Sequence, residues 1–203
     1  MIKKENEVII KYFEILRKSH PEKFEIEEMF DEDGEPIVPE NMKDRKDQNK
    51  WMLLESNVSE EDIHKLEEKF NVKLPSLYKA FISTYFHMFE ELDRVIDDFH
   101  CEDGKEVYVD ILPQPSNKPL KVIENVYKEC EELIEFGYIP MGDFNGWGPL
   151  CFDTHNNYKL VWLDHEEYYS CETREEIEEL GETIFDNFTE FLECFFAGVI
   201  HKC

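Results

Sequence analysis

Two short runs, residues 150–153 and 158–164, constrain the fold of this 203-residue chain more than any other stretch. Both are apolar at most positions, and Thr154-His155-Asn156-Asn157 joins them. A four-residue loop pairs Asp153 with Tyr158 and makes the two runs a β-hairpin. In that register Cys151, Asp153, Leu160, Trp162 and Asp164 share one face, while Leu150, Phe152, Val161 and Leu163 share the other. Strands that are apolar on both faces need cover on both, so the hairpin belongs in the centre of a sheet. The approach to it, residues 138–149, is glycine-rich and carries Trp147 between Gly146 and Gly148.

Helical spacing supplies the cover. Val8, Ile9, Tyr12, Phe13 and Leu16 predict an amphipathic helix over 3–18, stopped by Pro21. Ser59 ahead of Glu60-Glu61-Asp62 is a helix-start signal, because Ser59 can accept from the N3 amide and the acids suit the positive end of the helix dipole. Ile63, Leu66 and Phe70 line that helix, residues 71–74 break it, and Pro75 opens another with Leu77, Phe81, Tyr85 and Phe89 at helical spacing. Val107, Val109 and Ile111 alternate as in a strand. Ile123, Val126, Tyr127, Cys130, Leu133 and Ile134 predict a further helix, with Gly137 at its C-terminal cap. Thr173 suits the N-cap of an acidic helix, and Gly181 separates it from the last one. There Ile184, Phe188, Phe191, Leu192, Phe195 and Phe196 form a wide apolar stripe for the core. Residues 20–50 hold Pro21, Pro36, Pro39, an acidic run at 22–35 and the mixed run Lys43-Asp44-Arg45-Lys46-Asp47. They read as a linker or loosely ordered arm, or as an arm that wraps a partner. Turns are expected at Asp33-Gly34-Glu35-Pro36 and Cys101-Glu102-Asp103-Gly104, and a loop over 113–119.

Charge bounds what such a fold can meet. The 48 acids and 22 bases leave a net of −26. Binding to phosphate is driven by Lys and Arg, so neither direct nucleic-acid binding nor an anionic membrane surface is expected. The 41 % hydrophobic content nevertheless excludes disorder throughout the chain. No apolar run approaches the roughly 20 residues of a membrane span, and no apolar h-region follows the charged opening. The six cysteines form no Cys-x-x-Cys and read as free thiols, so the expected location is cytoplasmic. The acid excess is uneven: Asp164 to Phe196 holds 12 acids and one base, a local net of 1 − 12 = −11.

Three blocks taken together resemble the SUKH superfamily, which includes the SMI1/KNR4 domain. Residues 57–86, "NVSEEDIHKLEEKFNVKLPSLYKAFISTYF", look like its opening: a capped helix, a turn ending in Leu-Pro, and a second helix. Residues 138–167, "YIPMGDFNGWGPLCFDTHNNYKLVWLDHEE", are similar to its Ile-Pro entry, Gly-rich turn and two strands ending in Asp and in Asp-His-Glu. The closing "FDNFTEFLECFF" looks like its Phe-x-x-Phe-Leu helix. Residues 87–137 depart from the pattern and residues 1–55 lie outside it. The resemblance implies an α+β fold, a central mostly antiparallel sheet packed by helices, here with an N-terminal helical extension. The expected division is a helix and charged arm at 1–55 and an SMI1/KNR4-like domain at 56–203. Many bacterial members look like immunity proteins that neutralise nuclease or other toxins, and fungal relatives act as regulators and scaffolds. The family implies no shared catalytic set and no cofactor. The expectation is therefore a non-enzymatic immunity protein for a cationic toxin domain, the alternative a regulatory or scaffold domain.

Candidate site residues follow from charge and place. Asp153, His155, Asp164, His165, Glu166 and Glu167 cluster near the hairpin. No histidine pair has the i, i+4 helical spacing of a zinc motif, so no metal is expected. Acid–base catalysis would need Asp153 and Asp164 to converge; the alternative is that Asp153 orders its turn through side-chain to backbone bonds. The Gly-rich run lacks the Gly-Lys-Ser/Thr ending of a phosphate loop, and no catalytic residue is expected. Trp147 suits either a core cover or a binding anchor. A nuclease holds phosphate on a basic surface, which an acidic inhibitor can occupy. The expected partner contacts are Asp143, Trp147, Asp153, Asp164, Glu166, Glu167, Glu175, Glu176, Glu178 and Glu179.

Overall fold

The computed structural model describes residues 2–26, 38–89, 91–96, 105–112 and 118–199. The turns expected at 33–36 and 101–104, most of the acidic run at 22–35 and most of the loop at 113–119 lie outside the described residues.

Helix α1 (Ile2–Ser19) buries Ile9, Phe13 and Leu16 along one stripe, as its spacing requires. Strand β1 (Leu54–Glu55) then precedes α2 (Glu60–Phe70) and α3 (Ser76–Thr84), and pairs antiparallel with β2 (Tyr85–Phe86). A capping box starts α2: the Asp62 amide donates to Ser59 Oγ at 3.2 Å, and the Ser59 amide donates to Asp62 Oδ2 at 3.1 Å. The buried Glu67 fixes the corner between α2 and α3. Its Oε1 accepts from the Leu74 amide and from Lys79 Nζ, each at 2.7 Å, so the carboxylate is both bonded and paired.

Six strands follow: β3 (Glu91–Ile96), β4 (Lys105–Ile111), β5 (Tyr138–Phe144), β6 (Pro149–Asp153), β7 (Lys159–Trp162) and β8 (Glu182–Phe185). They lie side by side in chain order, every pair antiparallel. Helices α4 (Pro119–Glu129) and α5 (Glu131–Glu135) link β4 to β5, α6 (Arg174–Leu180) links β7 to β8, and α7 (Phe188–Ala197) closes the described chain. The architecture is α+β with an N-terminal helix.

The sheet is packed along its inner face and, over β5–β7, on its outer face as well. On the inner face Val107, Val109, Ile111, Phe152 and Leu160 join one large core with side chains of α1, α2, α3, α4 and α7. The aromatic stripe of α7 sits at its middle, and Phe13 of α1 lies within 6 Å of Phe81 and Phe196. On the outer face Tyr138, Cys151, Val161 and Leu163 form a smaller core with Leu133 of α5 and Ile177 of α6.

The hairpin is central, with β5 and β8 flanking it, but its register differs from the expectation by one residue. Asp153 pairs with Lys159, not Tyr158, because Asn157 and Tyr158 both take positive φ and lengthen the loop to five residues. That single step moves the whole second strand over. Leu160 and Trp162 now share the inner face with Leu150 and Phe152, and Val161 and Leu163 share the outer face with Cys151. Other differences have equally local causes. Helix α3 ends at Thr84, so Tyr85 lies in β2 and Phe89 packs from beyond it; β-branched Thr84 bonds back to the Ala80 carbonyl at 2.6 Å. Ile184 belongs to β8 and not to the last helix, which Asn187 starts by accepting the Thr189 and Glu190 amides. The helix expected through Ile134 breaks at Cys130 into α4 and α5. The described parts of residues 20–50 are not loose: Phe24, Val38 and Met42 are buried, and Phe24 stacks on Trp51 at 4.7 Å.

Candidate protein-binding surface

The outer face is covered by α5, α6 and residues 164–171 over β5–β7, and carries polar side chains over β3–β5. Pairing alone builds an acidic row there. Glu91 faces Asp110 across β3 and β4, and Asp110 faces Asp143 across β4 and β5. The core residues Val107, Val109 and Ile111 alternate with Tyr108 and Asp110, so this row points away from the inner core. Like charges directly opposite one another cost sheet stability. Asp143 is half-buried. Burial pushes its carboxyl upward, opposed by the Gly146 amide, the nearby His165 and the Gly148 amide. Its Oδ1 is buried with no hydrogen-bond partner among the described residues. Tyr108 is held above its usual range, first by burial and then by the charges of Asp110, Glu91 and Asp143.

The Gly-rich turn joins this row to the second acidic stretch. Asn145 sits at φ 57, where its Oδ1 accepts from the Tyr108 amide at 2.7 Å and its own amide donates to the Tyr108 carbonyl at 3.0 Å. Gly148 has φ 144, and a Cβ there would lie 2.1 Å from the Leu163 carbonyl oxygen, so no other residue fits. Trp147 is half-buried, 5.9 Å from Trp162 ring to ring, and covers the core edge. The His165 amide donates to the Trp147 carbonyl at 2.9 Å.

From His165 the chain presents carboxylates outward. Asp164 orders the turn, accepting the Glu166 amide on Oδ1 at 2.8 Å and the Glu167 and Tyr168 amides on its carbonyl. Glu166 and Glu167 are exposed. Thr173 caps α6, and Glu176 reciprocates by accepting the Glu172 and Thr173 amides, so Glu176 is committed to the cap. Ile177 holds α6 to the sheet and leaves Glu175, Glu178 and Glu179 exposed.

The single base of this stretch turns inward. Arg174 donates from Nη1 to the Phe136 carbonyl and from Nη2 to Asp153 Oδ1, each at 2.6 Å, and its guanidinium lies 4.6 Å from the Tyr138 ring centroid. Asp153 also accepts the His155 amide at 3.0 Å, and the residue is 2 % exposed. This corrects one expected contact: Asp153 is consumed within the fold and cannot meet a partner. Asp164, Glu166 and Glu167 lie in the turn after β7, and Glu175, Glu176, Glu178 and Glu179 lie on α6, the two segments whose Tyr168, Cys171 and Ile177 pack on the outer core. The acidic row itself was not legible, because Glu91 and Asp110 come together only through strand register. Tyr169, 72 % exposed among these acids, was also passed over; a Tyr-Tyr pair inside a charged run was its signal. Among the described residues no three His, Cys, Asp or Glu side chains converge on a metal position, and no helix is long and apolar enough to cross a membrane.

Compared with known families, residues 57–194 match the model of the SMI1 / KNR4 family (SUKH-1). No curated protein and no solved structure matches the chain.

Proposed function

Because the chain belongs to the SMI1/KNR4 family (SUKH-1), whose domains generally interact with protein partners, we propose that it is an immunity protein that binds and neutralises a cationic toxin domain. The observation that carries this reading is the outer face. Its exposed carboxylates, Glu91, Glu166, Glu167, Glu175, Glu178 and Glu179, face outward while Arg174 is withdrawn, and the half-buried Asp110 and Asp143 continue the row from Glu91 across the paired strands. A nuclease is the toxin class that such a surface suits, since its phosphate-holding lysines and arginines would find carboxylates in place of substrate. Inhibition then needs occupancy alone and no catalytic group on this chain. The proposed setting is the cytoplasm, where such a toxin acts.

The scaffold alternative would gain from an N-terminal arm free to bind elsewhere. Ile9, Phe13, Leu16 and Phe24 instead lie in the common core, which favours the first reading. The test is growth rescue. The chain is co-expressed with the C-terminal toxin domain of a large secreted protein encoded beside it, and survival is expected. Unchanged killing, with both proteins folded and present, would overturn the reading.

A further inference from the structure

We propose that Tyr169 is the aromatic anchor of the acidic surface and seats an arginine of the protein partner between its open ring face and the flanking carboxylates. The inference rests on the functional reading above and names the chemistry of its contact. Among the described residues the exposed large apolar side chains are Tyr169 at 72 %, Val199 at 45 % and Leu180 at 39 %. Two of these three, Tyr169 and Leu180, belong to the acidic segment, where solubility alone would favour none. Interfaces combine apolar anchors with a charged rim, and tyrosine and arginine are enriched among the residues that dominate binding.

The ring is presented, not loose. Tyr168 packs against the outer core and its ring lies against that of Tyr169, 4.3 Å between centroids and tilted by 30°. The 3-10 turn Tyr168–Ser170 fixes both, with the Ser170 amide on the Glu167 carbonyl and the Cys171 amide on the Tyr168 carbonyl. Tyr169 thus has its neighbour's ring against it while 72 % of it stays exposed, so part of its freedom is already spent before binding. Glu166, Glu167 and Glu172 surround it along the chain.

The molecule contains the proposed contact in miniature. Arg174 lies 4.6 Å over the Tyr138 ring while Asp153 accepts from its Nη2 at 2.6 Å. Tyrosine face plus carboxylate is therefore a combination this fold already uses to hold a guanidinium. Arginine suits it better than lysine, because the planar fork can stack on the ring and still bond a carboxylate sideways.

The test uses the full chain with capped hexa-arginine and hexa-lysine peptides as probes at physiological salt. Tyr169 ring resonances, assigned through Tyr169→Phe, should move on adding hexa-arginine. Tyr169→Ala should weaken that binding roughly fivefold, Tyr169→Trp should bind at least as tightly as the parent, and hexa-lysine should bind less well. Because the side chain is exposed, the Ala variant should melt with the parent. A Tyr169→Ala variant that binds hexa-arginine like the parent overturns the anchor. If the double variant Glu166→Gln/Glu167→Gln weakens binding while Tyr169→Ala does not, the anchor falls and the acidic surface stands. If neither variant matters, both fall.

Discussion

At the scale of single residues the fold uses buried polar groups in two opposite ways. Asp153 and Arg174 are paired, bonded and withdrawn from water, and each leaves an uncompensated charge if the other is removed. Breaking such a buried pair from one side costs about 3–5 kcal/mol. Asp153→Ala should therefore lower the urea midpoint sharply, which a denaturation curve of the variant beside the parent measures. His87 is the contrary case. It is 4 % exposed, its two ring nitrogens have no hydrogen-bond partner among the described residues, and it lies against the rings of Phe13, Phe81 and Phe89. Burial pushes its pKa down to about 3 from an ordinary 6.5. Between those values the unfolded chain takes up a proton that the folded chain refuses. Stability due to this group is thus complete above pH 6.5 and falls as pH falls toward 3, by at most about 1.4 kcal/mol per pH unit. His87→Phe should flatten the denaturation midpoint between pH 6.5 and 5 relative to the parent; an unchanged slope would mean the ring is not held neutral.

Elements show how far local rules reach. The Ser59 and Thr173 capping boxes, the α1 and α7 stripes and the alternation in β4 were all readable, since each depends on residues within a turn or two of one another. Thr173→Ala should cost about 1 kcal/mol and speed hydrogen exchange across α6, because the Glu176 amide loses its acceptor. What sequence could not supply was position relative to a distant strand. The β6–β7 register turned on Asn157 and Tyr158 adopting positive φ, and a one-residue error exchanged the faces of Leu160, Val161, Trp162 and Leu163. Strand β3 is not legible in the sequence, since the alternation of Glu91-Leu92-Asp93 is broken by Arg94, which falls at the every-second position between Leu92 and Ile96. The candidate site was half legible for the same reason. The contiguous acids of 164–179 could be read in line, while the row Glu91–Asp110–Asp143 exists only across three paired strands.

For the whole molecule the question is whether the net charge of −26 acts diffusely or through one face. Three of the four lysines of α2 and α4 meet acids locally. Lys69 and Lys128 share Glu124 at 2.6 and 2.7 Å, which holds that carboxyl down at about 2, and Lys65 meets Glu61 at 2.8 Å. Among the described residues the exposed acids of 164–179 have no such lysine partners, Arg174 being turned inward. Long-range attraction should therefore come mainly from the outer face and raise the association rate more than it slows dissociation. The measurement is stopped-flow association with the cognate partner across added salt. The parent rate should fall about tenfold or more as the Debye length shrinks from roughly 30 Å to 3 Å, with little change in the dissociation rate. Net charge and placement are separated by two double variants of equal charge change. Glu166→Gln/Glu167→Gln should flatten the salt dependence, whereas Glu61→Gln/Glu68→Gln, on exposed positions of α2, should leave it near the parent's. Equal effects from the two would make the charge a diffuse property of the molecule, and a salt-independent parent rate would leave the outer face no role in steering.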